Sequence, residues 1–215
     1  MVHHPPSTGQ AAVLTVLHDA FADDPLISWL FPDTTTRADL QTALYFRPLL
    51  AHPAAEADLV QAGSGEPAGA SIWLHLAAGE PPYGSQPQAH PGDARGRQGD
   101  PGDTPLDLPG DSQRLRALGA ELAPRHPHDQ AYIYLPCMAV TPAHRGLGLG
   151  SEMLERRLRW ADSLALGTYL EASSPRSRAL YLRHGFHDRG APIQLADSPA
   201  LWPMWRPTTK TGVHR

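Results

Sequence analysis

The chain has 215 residues, about one to one and a half typical domains, with 41% apolar, 19% charged and 7% aromatic residues and a formal charge of −4. That balance excludes a nucleic-acid binder built on a basic face. The lack of any 18-residue apolar run excludes a membrane-spanning helix, and the start MVHHPPSTGQ lacks the basic-then-apolar pattern of a secretory signal. One cysteine, Cys137, excludes an internal disulfide framework and a multi-cysteine zinc site. The twelve histidines show no metal-ligand spacing, and the His3-His4 and His126/His128 pairs read as solvated loop residues. The expectation is a soluble cytoplasmic protein, monomer or homodimer, with one domain spanning 1–215 and no metal, nucleic-acid or membrane partner.

Val13, Val16, Leu17, Ala20 and Phe21 recur at helical spacing and predict an amphipathic helix over 9–22. Asp23-Asp24-Pro25 stops it, because the residue before proline avoids helical backbone. A second helix is predicted over 35–50, with Thr34 to Thr36 as cap candidates and Leu40, Ala43, Leu44 and Phe46 inside. Between them ISWLF (27–31) is a short apolar patch that either packs or lines a pocket. Residues 57–62 and 69–76 read as strands of a hairpin joined by GSGEPA. The stretch from Glu80 to Asp111 holds thirteen Pro and Gly residues and almost no bulky apolar side chain. Such a segment cannot offset its chain entropy by burial and reads as a mobile insertion, either a plain surface excursion or a lid.

A helix is predicted over 112–123, and AYIYLPCMAV (131–140) is nearly continuous apolar, the pattern of a strand covered on both faces. TPAHRGLG is a turn, 149–165 a helix with Met153, Leu154, Leu158 and Ala161 inward, and TYLEAS (168–173) another strand. That order is a β–α–β unit with parallel strands and a right-handed crossover, which sets an α/β class. A third helix over 174–184 ends at Gly185, and two last strands are predicted near 186–195 and 199–206.

The sharpest signal is Arg145-Gly146-Leu147-Gly148-Leu149-Gly150-Ser151, between the buried strand and the next helix. Alternating glycines let backbone amides approach a ligand, and a helix start favours an anion. The spacing fits neither a Rossmann turn nor a P-loop, and a tight connection is the alternative. Pro136, in the middle of the preceding strand, removes a ladder hydrogen bond. A bulge there is expected to free the backbone of Met138, Ala139 and Val140 for an extended, amide-bearing ligand. A pyrophosphate at the helix start joined to an amide-rich arm along the strand describes coenzyme A.

On these residues the sequence resembles the GCN5-related N-acetyltransferase (GNAT) family. Arg145, Gly148 and Gly150 match its Arg/Gln-x-x-Gly-x-Gly/Ala motif, and Tyr181, Gly185 and Phe186 match its Tyr-x-x-x-Gly-Phe segment. AFADDP (20–25), YLEASSPRSRALYLRHGF (169–186) and Trp202-Pro203-Met204-Trp205 look more narrowly similar to puromycin N-acetyltransferase-like actinobacterial members, a likeness that implies a small-molecule amine. The resemblance implies the GNAT fold, a central mixed sheet with splayed parallel strands flanked by helices, and acetyl-CoA as co-substrate. It departs from the family in having no strand pattern in MVHHPPSTGQ and in carrying Ser177 where many members have asparagine.

The resemblance further implies direct attack of an amine on the thioester in a ternary complex. The expected acetyl-CoA contacts are Met138 to Val140, Arg145 to Ser151 and Ser177. The N–H of Met138 or Ala139 is the candidate to meet the developing oxyanion. Tyr181 is the candidate donor to the departing thiolate, the alternative being a packed core tyrosine. Cys137, in an apolar strand without an adjacent cation, reads as a structural thiol. Glu171, near the C-terminal end of its strand, is the candidate general base. Its alternatives are a carboxylate satisfied by backbone or Arg176, and a base role for Asp23 or Asp24, which otherwise cap or end a helix. Asp24, Trp29, Phe31, Tyr45, Trp73, Tyr134 and Trp202 are candidates for the acceptor site, with the core as the alternative for each aromatic. The acceptor expected is a primary amine of a small molecule such as an aminonucleoside antibiotic, a setting that suggests antibiotic resistance. A protein N-terminus or lysine, and a non-catalytic acyl-CoA-binding module, are the alternatives.

Overall fold

The structure, a computed structural model, describes residues 7–83 and 110–209. The MVHHPP start with its His3-His4 pair and residues 84–109 of the expected insertion lie outside them. The first described element is α1 (Ser7–Phe21), whose Val13, Val16, Leu17 and Ala20 form one buried stripe. Asp24 does more than stop it. Its carboxylate accepts from the amides of Leu26 (2.9 Å) and Ile27 (3.1 Å), and Pro25 supplies the first residue of a short helix α2 (Pro25–Leu30). ISWLF therefore packs: Ile27, Leu30 and Phe31 are buried with Leu118 and Leu122.

The single helix expected over 35–50 is α3 (Arg37–Gln41), a π turn (Thr42–Phe46) and α4 (Arg47–Ala51). Pro48 follows the π turn and has no N–H for a regular helical bond. The hairpin forms as β1 (Ala55–Gln61) and β2 (Pro67–Leu76), and α5 (Gly110–Leu122) follows. Beyond it lie β3 (Tyr132–Val140), α6 (Leu149–Ser163), β4 (Gly167–Ala172) and α7 (Pro175–Arg183). Gly185, at φ +86°, follows α7. The strand expected over 186–195 shortens to β5 (His187–Asp188) plus an isolated bridge between Ile193 and Leu201, because Gly190 turns the chain at φ +88°. β6 is Trp202–Arg206.

The six strands make one mixed sheet in the order β1-β2-β3-β4-β6-β5, with β3 and β4 as its parallel pair. Tyr132, Tyr134 and Tyr169 face α1, while Ile133, Leu135 and Leu170 face α6 and α7, so β3 is covered on both sides. Among the described residues no helix is long and apolar enough to cross a membrane.

Candidate active site at the fork of the sheet

The parallel ladder runs from Tyr132↔Gly167 to Leu135↔Leu170 and stops. Beyond it β3 keeps its antiparallel pairing with β2 through Val140↔Gly69, so β4 parts from β3 and opens a fork. The cause lies at Pro136. Opposite β2 the register passes from Leu74↔Tyr134 to Ile72↔Cys137, three residues of β3 against two of β2. The extra residue is a β-bulge at the place where proline has no N–H to pair.

The expectation that Met138, Ala139 and Val140 all leave strand pairing is corrected. Thr141 N–H donates to the Ala68 carbonyl at 2.9 Å. Hydrogen-bonded and non-bonded pairs alternate along an antiparallel ladder, so Ala139 bonds to β2 opposite Ala70, while Met138 and Val140 turn their backbone into the fork. Side-chain contacts agree. The Pro136 carbonyl, of the same parity, accepts the Tyr45 hydroxyl at 3.0 Å, and the Val140 carbonyl accepts Arg145 Nε at 3.3 Å. Met138 stands between these two outward residues.

A groove of about 560 Å³ occupies the fork, lined by Met138 to Val140, Gly146, Gly148 to Ser151 and Ser173-Ser174. Gly146 and Gly148 take φ of +86° and +84°, a region that side-chain-bearing residues avoid. Gly148 is the N-cap of α6 and offers no side chain to the first amides of the helix, which therefore open on the groove. Leu147 at the tip of the turn is 68% exposed and not part of the groove wall. Arg145 lines the groove but spends two donors on backbone, Nε on Val140 and an Nη on the Ala20 carbonyl at 2.8 Å, which ties the turn to the end of α1. Ser177 also lines it, with its hydroxyl engaged in a reciprocal capping box with Ser174 at the start of α7. Ser151 Oγ lies 3.2 Å from His184 Nε2. Asp19, Asp23 and Asp24 put carboxylates on one wall, and Arg176 and Arg183 add cations. Burial pushes the Asp24 carboxyl up from its ordinary value, opposed by its two amide bonds and by Arg145.

Tyr181 and Glu171 lie on opposite faces of the sheet, and neither is among the residues lining the groove. Tyr181, in α7, packs in the cluster of Leu154, Leu170 and Phe186. Burial, and then the neighbouring Cys137 thiol, raise its phenol above the ordinary range. Glu171, the first β4 residue past the ladder, belongs to the α1 face. Its partners are neither backbone nor Arg176: Tyr134 hydroxyl donates to Oε2 at 2.9 Å, and Tyr83 hydroxyl lies 2.7 Å from that of Tyr134. His126 Nε2 lies 3.3 Å from Oε1. Cys137 is buried, and desolvation pushes its thiol up to about 12, so a thiolate is scarce at neutral pH.

The aromatic candidates do not share one pocket. Tyr45 and Tyr134 stand on the α1 face beside Glu171, where burial holds both phenols well above their ordinary value. Trp73 is core on the opposite face, its indole N–H donating to Ser71, and Trp202 packs against that same cluster. Trp29 and Phe31 belong to the α2–α5 cluster, with the Arg114 guanidinium 5.5 Å above the Trp29 ring. Sequence reasoning missed Tyr83, and it placed His126 in solvent, whereas its side chain is 1% exposed. His128 is exposed as expected.

The sequence pattern of the Acetyltransferase (GNAT) family matches residues 117–186, from the middle of α5 through β3, the glycine turn, α6, β4 and α7 to Phe186. The fold matches solved structures along nearly the whole chain. A Corynebacterium glutamicum protein described as histone acetyltransferase HPA2 and related acetyltransferase aligns at 23% identity, covering 97% of this chain and 96% of its own, with a TM-score of 0.60. Arylalkylamine N-acetyltransferase 2 of Aedes aegypti aligns at 12% identity over 95% and 97%, with a TM-score of 0.63. The ribosomal-protein-S18-alanine N-acetyltransferase of Escherichia coli aligns at 16% identity over 98% and 95%, with a TM-score of 0.52.

Proposed function

We propose that this chain is a GNAT-family acetyltransferase, a reading its matched segment and its fold support, and that it moves the acetyl group of acetyl-CoA to a primary amine of a small molecule by direct attack. The observation that carries this reading is the fork, where outward strand backbone and an uncapped helix start face the same groove. When bound, the thioester supplies the activated acetyl group. The amides of Leu149 to Ser151 at the start of α6 are placed to hold its pyrophosphate, and Gly146 and Gly148 let them approach. The outward backbone of Met138 and Val140 suits the amide-rich arm as an added strand. Met138 N–H, free of β2, is the donor assigned to the developing oxyanion, in place of Ala139.

Glu171 takes the acceptor's proton: an N–H bond breaks, an O–H bond forms on the carboxylate, and the electron pair stays on nitrogen for attack. Tyr181, on the other face of the sheet, is the donor assigned to the departing sulfur. A reference phenol and thiol differ by about 1.5 pKa units, or about 2 kcal/mol uphill for full transfer. Burial of Tyr181 widens that gap, so it stabilises the thiolate by a hydrogen bond and remains a phenol. The high pKa of Cys137 favours direct attack over an acyl-enzyme.

Support for a small acceptor comes from the α1 face, where Tyr45, Tyr83 and Tyr134 gather at Glu171. By the narrower resemblance of its sequence to puromycin N-acetyltransferase-like members, an aminonucleoside antibiotic is the first acceptor to test, and antibiotic resistance the setting proposed with it. A cationic peptide is the second reading, favoured by the three carboxylates on the groove wall. The test is thiol release from acetyl-CoA against a panel of aminonucleosides, arylalkylamines, polyamines and peptides, with Glu171→Gln alongside. Selective turnover of a small amine, reduced about 10²- to 10⁴-fold in Glu171→Gln, is the expected result. Preference for peptides supports the second reading, and tight CoA binding with no turnover on any amine overturns both.

A further inference from the structure

We propose that His126 is a positioning residue for Glu171, holding its carboxylate ionised inside the protein through a donated Nε2–H. The inference rests on the reading of Glu171 as the base. Glu171 and His126 side chains are 5% and 1% exposed, and His126 is the one nitrogen cation or donor of an ion-pair kind that reaches Glu171 among the described residues. A buried carboxylate without such a partner protonates, because desolvation penalises its charged form.

The hydrogen bonds fix where the protons sit. Tyr134 hydroxyl gives its proton to Glu171 Oε2, so at the 2.7 Å contact with Tyr83 it is the acceptor. His126 Nδ1 lies 2.9 Å from the Tyr132 hydroxyl, and Nε2 faces Glu171 Oε1 with no other partner on either atom. A bare Nε2 lone pair against a carboxylate oxygen would repel, so the proton belongs on Nε2, and Nδ1 accepts from Tyr132. Two donors, one per oxygen, then converge on the carboxylate from β3 and from the loop after α5. At 3.3 Å the pair is within ion-pair distance but off the line of an ideal hydrogen bond.

The titratable groups around the pair among the described residues include five phenols: Tyr132 and Tyr134 from β3, Tyr169 from β4, Tyr83 from the segment after β2 and, near Glu171, Tyr45 from the π turn. Burial raises all five above their ordinary values, so they stay protonated and can only donate to the carboxylate. The buried hydroxyl of Tyr169 also lies beside the Glu171 carboxylate, which, after burial, raises its phenol above the ordinary range.

The test uses the full chain without any acceptor. Carboxyl carbon NMR, with the Glu171 signal assigned through Glu171→Gln, follows its titration in wild type, His126→Gln and His126→Phe. The expected result is titration at least one pH unit higher in His126→Phe and near wild type in His126→Gln, whose amide keeps a donor. Equal titration in all three overturns the proposal. Nitrogen-labelled histidine in the wild type gives a second reading that no folding defect can remove. The Nε2–H tautomer of neutral His126 is expected, and the Nδ1–H tautomer overturns the proposal. Full activity in Glu171→Gln would sink the base reading instead, whatever the titrations show.

Discussion

Tyr181→Phe removes the oxygen assigned to the leaving group and leaves the rest of the side chain in place. The ring is 7% exposed and lies 5.7 Å from the Phe186 ring at a 60° tilt, a contact that phenylalanine keeps. The Tyr181 hydroxyl makes no hydrogen bond to another described residue, so its removal orphans no partner and thermal stability should hold. In catalysis the loss is specific. A hydrogen bond to a group gaining charge contributes about 1.5–3 kcal/mol, which at 1.36 kcal/mol per decade lowers kcat by about 10- to 150-fold. Because the sulfur carries little charge before attack, KM for acetyl-CoA should stay within about twofold. Steady-state thiol release at saturating acceptor measures both. Unchanged kcat, or a defect confined to KM, would refute Tyr181 as the leaving-group donor.

The remaining expectations are shorter. Gly148 adopts φ +84° with open space where a Cβ would stand, so Gly148→Ala carries only a backbone penalty of about 1–2 kcal/mol. Calorimetry with CoA alone should show about 5- to 30-fold weaker binding if the turn relaxes, with partial recovery in Gly148→Asn, which tolerates that region. Cys137→Ala should leave kcat unchanged, because the thiol takes no part in acyl transfer, at a stability cost of about 1–2 kcal/mol from the small cavity. Asp162 is held well below the usual carboxylate range by the Arg206 guanidinium and by the amide of Thr209. A depressed folded pKa means stability present above the unfolded value near pH 4 and lost as pH falls through the folded one. Denaturation of Asp162→Asn should thus show a loss of about 1 kcal/mol at pH 7, discounted for partial exposure, that shrinks steadily as pH falls below about 4.

The parts legible in the sequence are those fixed by local pattern. The stripe of α1, the two-sided strand β3, the bulge at Pro136 and the glycine turn each follow from spacing or backbone chemistry within a dozen residues. Asp24-Pro25 was legible as a stop but serves equally as a start, and a six-residue helix is too short for periodicity to reveal. His126 was hidden because its neighbourhood, RHPHDQ, is polar, while its burial comes from β3 and from Glu171, 45 residues away. Arg145 shows the same limit, since one of its nitrogens is spent on Ala20, 125 residues earlier. The split of Trp73 and Trp202 from Tyr45 and Tyr134 depends on which face of the sheet each joins, which composition does not record.

Pro136 links these levels. A strand with strict alternation from Tyr132 and Tyr134 would set residues 136 and 138 on the α1 face and Cys137 opposite. The added residue reverses that order, so Cys137 joins Tyr134 in the α1 cluster and Met138 packs with the α6 face. It shifts the backbone parity as well, turning the Met138 amide toward the fork and committing Ala139 to β2. The same step lets the Pro136 carbonyl take the Tyr45 hydroxyl, tying the π turn between α3 and α4 to the fork. One residue without an N–H thus sets which amide faces the groove, which thiol is withdrawn from it and which phenol stands beside Glu171.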